Sequence, residues 1–320
     1  MNDNDAIRMT GLPLTIVIVS YNTRALTLRC LETLRAQTRT PCRVVVFDNA
    51  STDGSAEAVA ATFPDIELIR STENLGFARA NNVVTETVDT PWLLLLNPDT
   101  EILDHAVDRL LAFATANPAH GIYGGRTVFA DGSLNIASCW NRITPWSAFC
   151  RAVGLTALFP RTTWFDTEAI GAWQRDTIQE VDIIVGCFLL IRTELWQALG
   201  GFDPLFWMYG EEADLCLRAR RLGARPVVIP DATIVHHVGA ASASRADKIV
   251  QVARARVTLI QRHWPPALRW WGTGMAWLWG ALRVTAASVL GLLPGETNAA
   301  RLARWRTVWK ARNTWMGGYV

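Results

Sequence analysis

Apolar runs that end abruptly in polar side chains recur in the first hundred residues of this chain. The runs and the polar residues that follow them are Leu14 to Val19 with Ser20-Tyr21-Asn22, Val44 to Phe47 with Asp48-Asn49, and Leu93 to Leu96 with Asn97-Pro98-Asp99. Short, continuous apolar runs are typical of parallel strands that are buried on both faces. Open α/β sheets bind ligands outside the carboxyl ends of their strands. The pattern therefore predicts a ligand site at one edge of a sheet.

Between these runs, apolar residues recur at the spacing of an amphipathic helix. The first such segment predicts a helix at 24–37, and its apolar positions are Leu26, Cys30, Leu31 and Leu34. Further helices are predicted at 53–62 with Asp53 as the cap, from Asn74 onward, at 104–117 and from Thr193, and further strands at 66–70 and 183–191. The alternation predicts a mostly parallel central sheet with helices on both faces.

Regular spacing fades between Gly132 and Gln179, where we predict a mobile loop region over the site. A chain of 320 residues can hold one large α/β domain with an appendage. We divide it into an N-terminal tail at 1–13, an α/β domain with the site at 14–250, and a helical C-terminal region at 251–320.

The cysteines and the first residues indicate a cytoplasmic protein. The six cysteines form no C-x-x-C pair, which favours reduced, buried thiols. Met1-Asn2-Asp3-Asn4-Asp5 is acidic and polar, unlike a signal peptide. We expect no nucleic acid among the partners.

The C-terminal region is basic and rich in tryptophan. Residues 251–320 hold ten of the 31 Lys and Arg residues, one of the 29 Asp and Glu residues, and eight of the 15 tryptophans. Its apolar stretches fall short of the roughly 20 residues that span a bilayer, so we predict an interfacial segment on the anionic inner face of the cell membrane. The alternative is a helical subdomain that packs its tryptophans on its own core. We favour membrane contact because buried tryptophans do not require ten cations.

Several motifs occur in an order that resembles a known enzyme family. They are Ser20-Tyr21-Asn22, Asp48-Asn49-Ala50-Ser51-Thr52-Asp53-Gly54, Asn74-Leu75-Gly76-Phe77, Asn97-Pro98-Asp99, Gly200-Gly201-Phe202-Asp203 and the segment from Phe206 to Arg218. The chain resembles the family 2 inverting glycosyltransferases, in particular the bacterial rhamnosyltransferase branch, over roughly 14–242. The resemblance implies the GT-A fold, which binds nucleotide-diphospho-sugars in an α/β domain.

The resemblance implies a nucleotide site at the sheet edge. Tyr21 would stack on the base and Asp48 would accept the N–H of its ring, although an Asp before Asn49 is also common in turns. The residues that the resemblance adds to the nucleotide site are Ser20, Asn22, Asn74, Arg79 and Asp99, with Asn81 or Asn82 less certain.

A divalent cation, Mn²⁺ or Mg²⁺, is expected at the diphosphate. The family usually holds it through a D-x-D motif, but Asn97 takes the place of the first acid and leaves Asp99 as the carboxylate. A histidine of Val235-His236-His237-Val238-Gly239 would be a second ligand. Neighbouring side chains of a strand point to opposite faces, so one histidine serves, and we choose His237 for its spacing to Val238-Gly239. The alternative is a surface histidine pair.

Inverting transfer requires one general base, and the resemblance assigns it to Glu212. Its neighbour Glu211 would raise the pKa of the pair toward neutrality. The alternative is that these acids only begin a helix, where negative charge is favourable. The residues predicted to shape the acceptor or donor-sugar pocket are Asp131, Asp182, Gly186, Trp207 and Asp214.

The expected activity is transfer of L-rhamnose from dTDP-L-rhamnose to a polyprenyl-diphosphate-linked saccharide or glycan, with a UDP-sugar as the alternative donor. A sugar nucleotidyltransferase would carry a glycine-rich loop after the first strand, and Ser20 to Arg24 lacks one. A non-catalytic membrane-surface scaffold is disfavoured by the presence of Asp99 and Glu212.

Overall fold

The computed structural model describes residues 11–237 and 244–319 of the chain. Within these residues it contains two compact units. The first comprises 11–140, 174–207 and 211–237, and the second comprises 141–173, 208–210 and 244–319. The structure thus groups 141–173 with the C-terminal helices, whereas our division placed that segment in the α/β domain. Most of the predicted tail at 1–13 lies outside the described residues.

Strands and helices alternate through the first half of the chain, and helices dominate its last quarter. The first half contains β1 (Leu14–Ser20), α1 (Arg24–Gln37), β2 (Cys42–Asp48), α2 (Ser55–Thr62), β3 (Glu67–Arg70), α3 (Gly76–Thr85), β4 (Trp92–Leu96), β5 (Thr100–Ile102), α4 (Ala106–Ala116), a short 3₁₀ turn (Pro118–His120), β6 (Ile122–Val128), β7 (Leu134–Asn135) and β8 (Cys139–Trp140). The second half contains α5 (Pro145–Val153), α6 (Leu155–Leu158), β9 (Gln179–Glu180), β10 (Ile183–Ile184), β11 (Phe188–Arg192), α7 (Thr193–Leu199), α8 (Glu211–Arg221), β12 (Val227–His236), α9 (Arg245–His263), α10 (Pro266–Leu290), α11 (Glu296–Lys310) and α12 (Arg312–Gly317).

The central sheet has the strand order β3-β2-β1-β4-β11-β6-β12-β5. Its first four strands are parallel, with Val17 of β1 opposite Val45 of β2 and Leu95 of β4. Beyond β4 the sheet is mixed, because β11 runs antiparallel to both β4 and β6, while β12 is parallel to β6. The predicted mostly parallel sheet is therefore confirmed for β3, β2, β1, β4, β6 and β12, which share one direction, whereas β11 and β5 run against them.

The core of the first unit forms where the sheet packs against α1 and α4. Cys30, Leu31 and Leu34 are at most 4% exposed, so the predicted helix at 24–37 and its apolar face are confirmed. The predicted helix at 53–62 begins at Ser55, and its N-cap is Gly54 and not the predicted Asp53, although Asp53 accepts a hydrogen bond from the Ser55 backbone N–H at 3.1 Å. Burial of such side chains stabilises the sheet by about 1.5–3 kcal/mol each.

Two strand predictions need correction. The predicted strand at 183–191 consists of β10 and β11, separated by a turn at Gly186 and Cys187. Strand β6 was not predicted, because its sequence contains Gly124 and Gly125, and glycine weakens strand propensity. These glycines allow close approach, since a Cβ at Gly125 would lie 2.0 Å from the Ala232 carbonyl oxygen.

The region at 132–179 is only in part the loop region that we predicted, since 159–178 contain no helix or strand whereas 145–158 are largely helical. It contains α5, whose start is fixed by a capping box between Thr144 and Ser147, with Pro145 in the first turn. In the second unit, Arg256 of α9 pairs with Glu168 through two hydrogen bonds of 2.6 and 2.9 Å.

The C-terminal region is helical, as predicted, but much of its tryptophan is internal to the second unit. Trp264, Trp279 and Trp315 are less than 10% exposed, and the Trp315 indole donates to the Val308 carbonyl at 2.9 Å. Several cations also have internal contacts, as Arg283 donates to two backbone carbonyls at the end of α5. The argument that these cations require a membrane is therefore wrong for part of them. No helix of the described residues is long and apolar enough to cross a bilayer.

Candidate active site

The carboxyl ends of the parallel strands meet at one edge of the sheet. Ser20 and Asp48 are opposite one another as the last residues of β1 and β2, and Asn97 follows the end of β4. Strand β12 runs in the same direction as β4, because the two antiparallel pairings through β11 restore the original direction. The end of β12 therefore reaches the edge where Asp99 lies.

Asp48 is placed to recognise a ligand group. Its side chain is 4% exposed, and Oδ2 accepts a hydrogen bond from the Ser51 backbone N–H at 3.1 Å. Its Oδ1 is buried and has no hydrogen-bond partner among the described residues. A buried acceptor without a partner is costly in a native protein unless a ligand supplies one. Tyr21, at the end of the neighbouring strand, is 42% exposed and presents a ring at the same edge.

Two residues predicted to contact the nucleotide have internal hydrogen bonds. The Ser20 hydroxyl is buried and lies 2.9 Å from that of Thr27, which corrects its predicted role. Asn22 connects two loops, because its Oδ1 accepts from the backbone N–H of Thr52 at 2.8 Å. Asn22 is nonetheless exposed, so its contact with the nucleotide stays a prediction.

Asn74 belongs to a tight loop that brings α3 to the edge. Its Oδ1 accepts from the Asn49 side chain at 3.0 Å and from the Gly76 backbone N–H at 2.9 Å, which favours an internal role over nucleotide contact. Gly76 has a φ of +74°, and a Cβ there would lie 2.7 Å from the Trp207 carbonyl oxygen. Trp207 is 44% exposed beside this loop, and Arg79 lies on α3.

The two histidines after β12 have different partners. His236 Nε2 lies 3.3 Å from Asp99 Oδ1, whereas His237 Nε2 lies 2.8 Å from Glu101 Oε1. The backbone N–H of His237 donates to the Asp99 carbonyl at 2.9 Å. The structure therefore brings His236 and not the predicted His237 to Asp99; Val238 and Gly239, which guided our choice, lie outside the described residues.

The electrostatics of His236 reflect this position. Burial would lower the pKa of its imidazole, but the adjacent Cys187 sulfur and the Asp99 carboxylate raise that pKa to about 10. Asn97 lies beside them, and its Oδ1 is buried with no hydrogen-bond partner in the part of the chain described. The end of β4 thus brings together the Asp99 carboxylate, the His236 imidazole and an amide oxygen of Asn97 that no described residue engages.

Glu211 and Glu212 begin α8 and form a coupled carboxyl pair. Glu211 is 4% exposed, and burial together with the charge of Glu212 raises the pKa of Glu211 well above its usual range. The two carboxyl groups hydrogen-bond one another. Two like charges this close disfavour ionisation of both carboxyl groups. Glu211 is the more buried member, so its carboxyl group is the harder of the two to ionise.

Asp214 and Asp182 position the helix that carries the pair. Asp214 is fully buried and accepts from Arg218 at 2.6 Å, and Arg218 also donates to the Leu199 carbonyl at 2.7 Å. Asp182 lies 3.1 Å from Arg220. The predicted contact of Asp214 with a sugar is therefore wrong, because a fully buried carboxylate in an ion pair cannot reach one.

The remaining pocket predictions fall on a turn and a packing contact. Asp131 is exposed and accepts from the Ser133 backbone N–H at 2.9 Å, which identifies a surface turn. Gly186 packs closely, because a Cβ there would lie 3.2 Å from the Phe77 ring. Both contacts favour structural roles.

Comparison with known proteins identifies the family. The model of the glycosyl transferase family 2 matches residues 15–197, which is more than half of the chain. The chain belongs to this family. It is a glycosyltransferase, and the resemblance and the expected fold class are confirmed.

Relatives of this glycosyltransferase include two rhamnosyltransferases. An N-acetylglucosaminyl-diphospho-decaprenol L-rhamnosyltransferase of Mycobacterium tuberculosis is 28% identical over 278 residues, which cover 80% of this chain and 88% of the relative. Rhamnosyltransferase WbbL of Escherichia coli is 25% identical over 235 residues, or 69% of this chain and 82% of the relative. The mannosyltransferase PcManGT of Pyrobaculum calidifontis, solved with GDP-Man and Mn²⁺, superposes with a TM-score of 0.56 at 19% identity, covering 95% of this chain and 87% of that one. This likeness shows the fold.

The sequence contains a signal for His236 that our choice of His237 did not use. Ala232, Ile234 and His236 alternate along β12 and are all less than 10% exposed, so they share its buried face. Period-two alternation assigns His236 to that face. The sequence contains no comparable signal for the internal hydrogen bonds of Ser20 and Asn74, because the spacing of apolar residues does not reveal which side chains will be their partners.

Proposed function

We propose that this glycosyltransferase transfers L-rhamnose from dTDP-L-rhamnose to a hydroxyl of a polyprenyl-diphosphate-linked saccharide, with inversion at the anomeric carbon. The proposal is supported by the two relatives named as rhamnosyltransferases, one of which is named for a diphospho-decaprenol substrate. The place of such a step is the synthesis of a cell-envelope glycan on the inner face of the membrane.

One observation of the structure carries the proposal. The buried polar oxygens Asp48 Oδ1, Asn97 Oδ1 and Glu211 Oε2 have no hydrogen-bond partner within residues 11–237 and 244–319. Asp48 ends β2 and Asn97 follows β4, on either side of β1 at the edge where α/β sheets bind ligands, and Glu211 begins α8. Unengaged polar groups of this kind indicate surfaces built for a polar ligand.

The expected reaction assigns one task to each group. The acceptor hydroxyl oxygen attacks the anomeric carbon, while the bond from that carbon to the diphosphate oxygen breaks. Glu212 takes the hydroxyl proton, and the nucleoside diphosphate leaves with the electron pair. Glu211 holds its own proton in the buried position and keeps a single negative charge on the pair. Asp48 and Tyr21 bind the base, which orients the diphosphate toward Asp99.

The residues beside Asp99 fit a divalent cation. Asp99 Oδ1 and His236 Nε2 are 3.3 Å apart, a separation compatible with two neighbouring ligands of one ion whose ligand distances are about 2.1 Å. No cluster of three or more His, Cys, Asp or Glu ligands occurs in the described ranges. Mn²⁺ or Mg²⁺ would therefore take its other ligands from diphosphate oxygens and water, and it would neutralise the leaving group. His236 must lose its proton for this role, so cation binding is expected to release one.

The donor is tested by the release of nucleoside diphosphate. We expect turnover of dTDP-L-rhamnose that is lost with EDTA and restored by Mn²⁺ or Mg²⁺. Turnover of a UDP-sugar without turnover of dTDP-L-rhamnose would support the alternative donor, and no release from either would contradict the proposed activity.

The second unit is proposed to rest on an anionic membrane surface. The exposed apolar side chains of α10 and the turn after it include Trp270 at 72%, Trp277 at 48% and Leu292 at 85% exposure. Trp270 and Trp277 are seven residues apart and share a helix face. Exposed tryptophan beside arginine and lysine is typical of interfacial helices. Such a surface would bring the enzyme to a lipid-held acceptor.

Co-sedimentation with liposomes that contain anionic lipid tests this placement. We expect Trp270→Ser and Leu292→Ser to reduce binding, and high salt to reduce it further. Leu222→Ser is the matched control, because Leu222 is 62% exposed in the first unit. Surface variants are preferred to a truncation after His263, which would remove Trp279 and Trp315 from the core. Equal binding by all variants would contradict a membrane role for this surface.

A further inference from the structure

Arg126 is a partly buried cation on β6 to which the described residues offer no partner. Its Nε is buried without a hydrogen-bond partner, and these residues give its guanidinium no hydrogen bond, ion pair or ring contact. Removing part of a charged side chain from water without an acceptor costs free energy. An unengaged buried donor in a native protein therefore requires an explanation, and a bound anion supplies one.

The register of the sheet places Arg126 beside the candidate site. Thr233 of β12 pairs with Arg126, and Gly124 of β6 pairs with Leu189 of β11. Continuing that antiparallel register by two positions sets Arg126 opposite Cys187. The Cys187 carbonyl in turn accepts the backbone N–H of Asn97 at 3.1 Å. Asn97 and Arg126 are thus in one row that passes just beyond the end of β4 and just before the start of β11, with backbones about 10 Å apart at the usual strand spacing.

The face of β6 that carries Arg126 is the face toward α8. Side chains alternate along a strand, so Arg126 shares a face with Gly124 and not with Gly125. A Cβ at Gly124 would lie 2.6 Å from the Ile184 side chain. The Ile184 carbonyl accepts a hydrogen bond from Cys216 of α8, the helix that begins with the carboxyl pair. Arg126 therefore lies on the sheet face that α8 covers, in line with the end of β4.

Charge complementarity identifies the ligand as a diphosphate. Asn97, in the same row, carries a neutral amide, so that position gives Arg126 no negative partner. Arginine remains charged at all relevant pH values, and its fork of N–H donors matches phosphate oxygens. A donor that carries a diphosphate at the end of β4 would present such oxygens to this row.

We propose that Arg126 donates hydrogen bonds to the diphosphate of the nucleotide-sugar donor and stabilises the negative charge that the leaving group gains as the glycosidic bond breaks. The inference rests on the proposed function, because it takes the ligand to be a nucleoside-diphospho-sugar. It adds a cation of the protein to the divalent ion as a second source of positive charge.

Isothermal titration of the full chain tests the inference, with dTDP, UDP and the nucleosides thymidine and uridine as probes, in Mg²⁺ and in EDTA. Arg126→Ala should weaken binding of the nucleoside diphosphate about ten- to hundredfold, the usual effect of losing hydrogen bonds to a charged group. Because the guanidinium acts without the metal, the loss should persist in EDTA. Nucleoside affinity should stay within about twofold, and Arg126→Lys should be intermediate.

Arg192→Ala is the matched control, since Arg192 ends β11 at the opposite edge of the same sheet and its side chain is 42% exposed. It should leave the affinity for each probe unchanged. Unchanged diphosphate affinity in Arg126→Ala would overturn the inference, as would an equal loss for nucleoside and diphosphate. If Arg126→Ala does not fold, the same comparison in Arg126→Lys decides. Failure of the wild-type chain to bind any probe would overturn the proposed function itself. That result differs from equal binding by the wild-type chain and Arg126→Ala, which would overturn only this inference.

Discussion

Isosteric changes at Glu212 and Glu211 should have unequal effects on turnover. Burial and the charge of Glu212 raise the pKa of Glu211, so we expect the pair to carry one negative charge that resides mainly on Glu212. Glu212→Gln removes the base and should lower kcat by about two to four orders of magnitude, or about 3–5 kcal/mol of barrier. Glu211→Gln keeps a neutral hydrogen-bonding group beside an ionised Glu212, so its kcat should stay within about tenfold of wild type.

The assay is steady-state release of nucleoside diphosphate, combined with titration of the donor nucleotide. Donor affinity should be unchanged in both variants, because neither carboxyl group binds the base or the diphosphate. Equal losses of kcat in the two variants, or a larger loss in Glu211→Gln, would refute the assignment of Glu212 as the base. Lost donor affinity in either variant would indicate a structural defect instead.

The same pair makes a prediction about stability. A carboxyl group whose folded-state pKa is raised stabilises the fold at low pH and loses that contribution as pH rises through the raised value. Glu211→Gln removes this titration, so its melting temperature should exceed that of wild type at about pH 8 and approach it near pH 4.5. A variant that follows the wild-type pH dependence throughout would contradict the raised pKa of Glu211.

Three further changes test other contacts. His236→Ala should weaken Mn²⁺-dependent nucleotide binding about tenfold or more. His237→Ala, which loses a contact to Glu101, should leave that binding unchanged. A larger loss of nucleotide affinity in His237→Ala than in His236→Ala, measured by calorimetry, would contradict the choice of His236. Gly76→Ala should lower the free energy of unfolding by more than the roughly 1–2 kcal/mol that a left-handed backbone costs a residue with a Cβ. Gly132→Ala is the control, because Gly132 has a φ of +80° and open space around it, so this variant measures the conformational cost alone in denaturant melts. Glu168→Gln should lower the free energy of unfolding at pH 7 by about 2–3 kcal/mol, because Arg256 lowers the pKa of Glu168 to about 2 although burial opposes this. This stabilisation is present above about pH 4.5 and declines toward pH 2. A variant that melts like wild type at pH 7 would contradict it.

The strands and helices of the first hundred residues follow from local pattern. Helix 24–37 and the strands that end at Ser20, Asp48 and Leu96 match their predicted positions closely, because each buries a continuous or periodic apolar set. Strand β6 was missed for the opposite reason. Its glycines contribute close backbone contacts, and those depend on Ala232 and Phe188, which lie on other strands of the sheet.

The same distinction separates the site predictions. Asp48 was predictable because a carboxylate at the end of a buried strand is itself a signal, and the structure leaves one of its oxygens without a partner among the described residues. Asp214 had no such signal, because it lies in the acidic start of a helix, and the ion pair with Arg218 engages it inside the protein. The loop prediction failed at 145–158, although Thr144-Pro145 begins a helix there, because the packing partners of this segment come from 244–319.

Transfer of labelled rhamnose to a lipid-linked acceptor tests the central claim most directly. The full chain would be incubated with dTDP-L-[¹⁴C]rhamnose, Mg²⁺ and N-acetylglucosaminyl-diphospho-polyprenol, and the organic phase would be counted and the product linkage determined. We expect label in the lipid fraction, an anomeric configuration opposite to that of the donor, and a loss of about a hundredfold or more in Glu212→Gln. Retained configuration, or equal transfer by Glu212→Gln, would contradict the account.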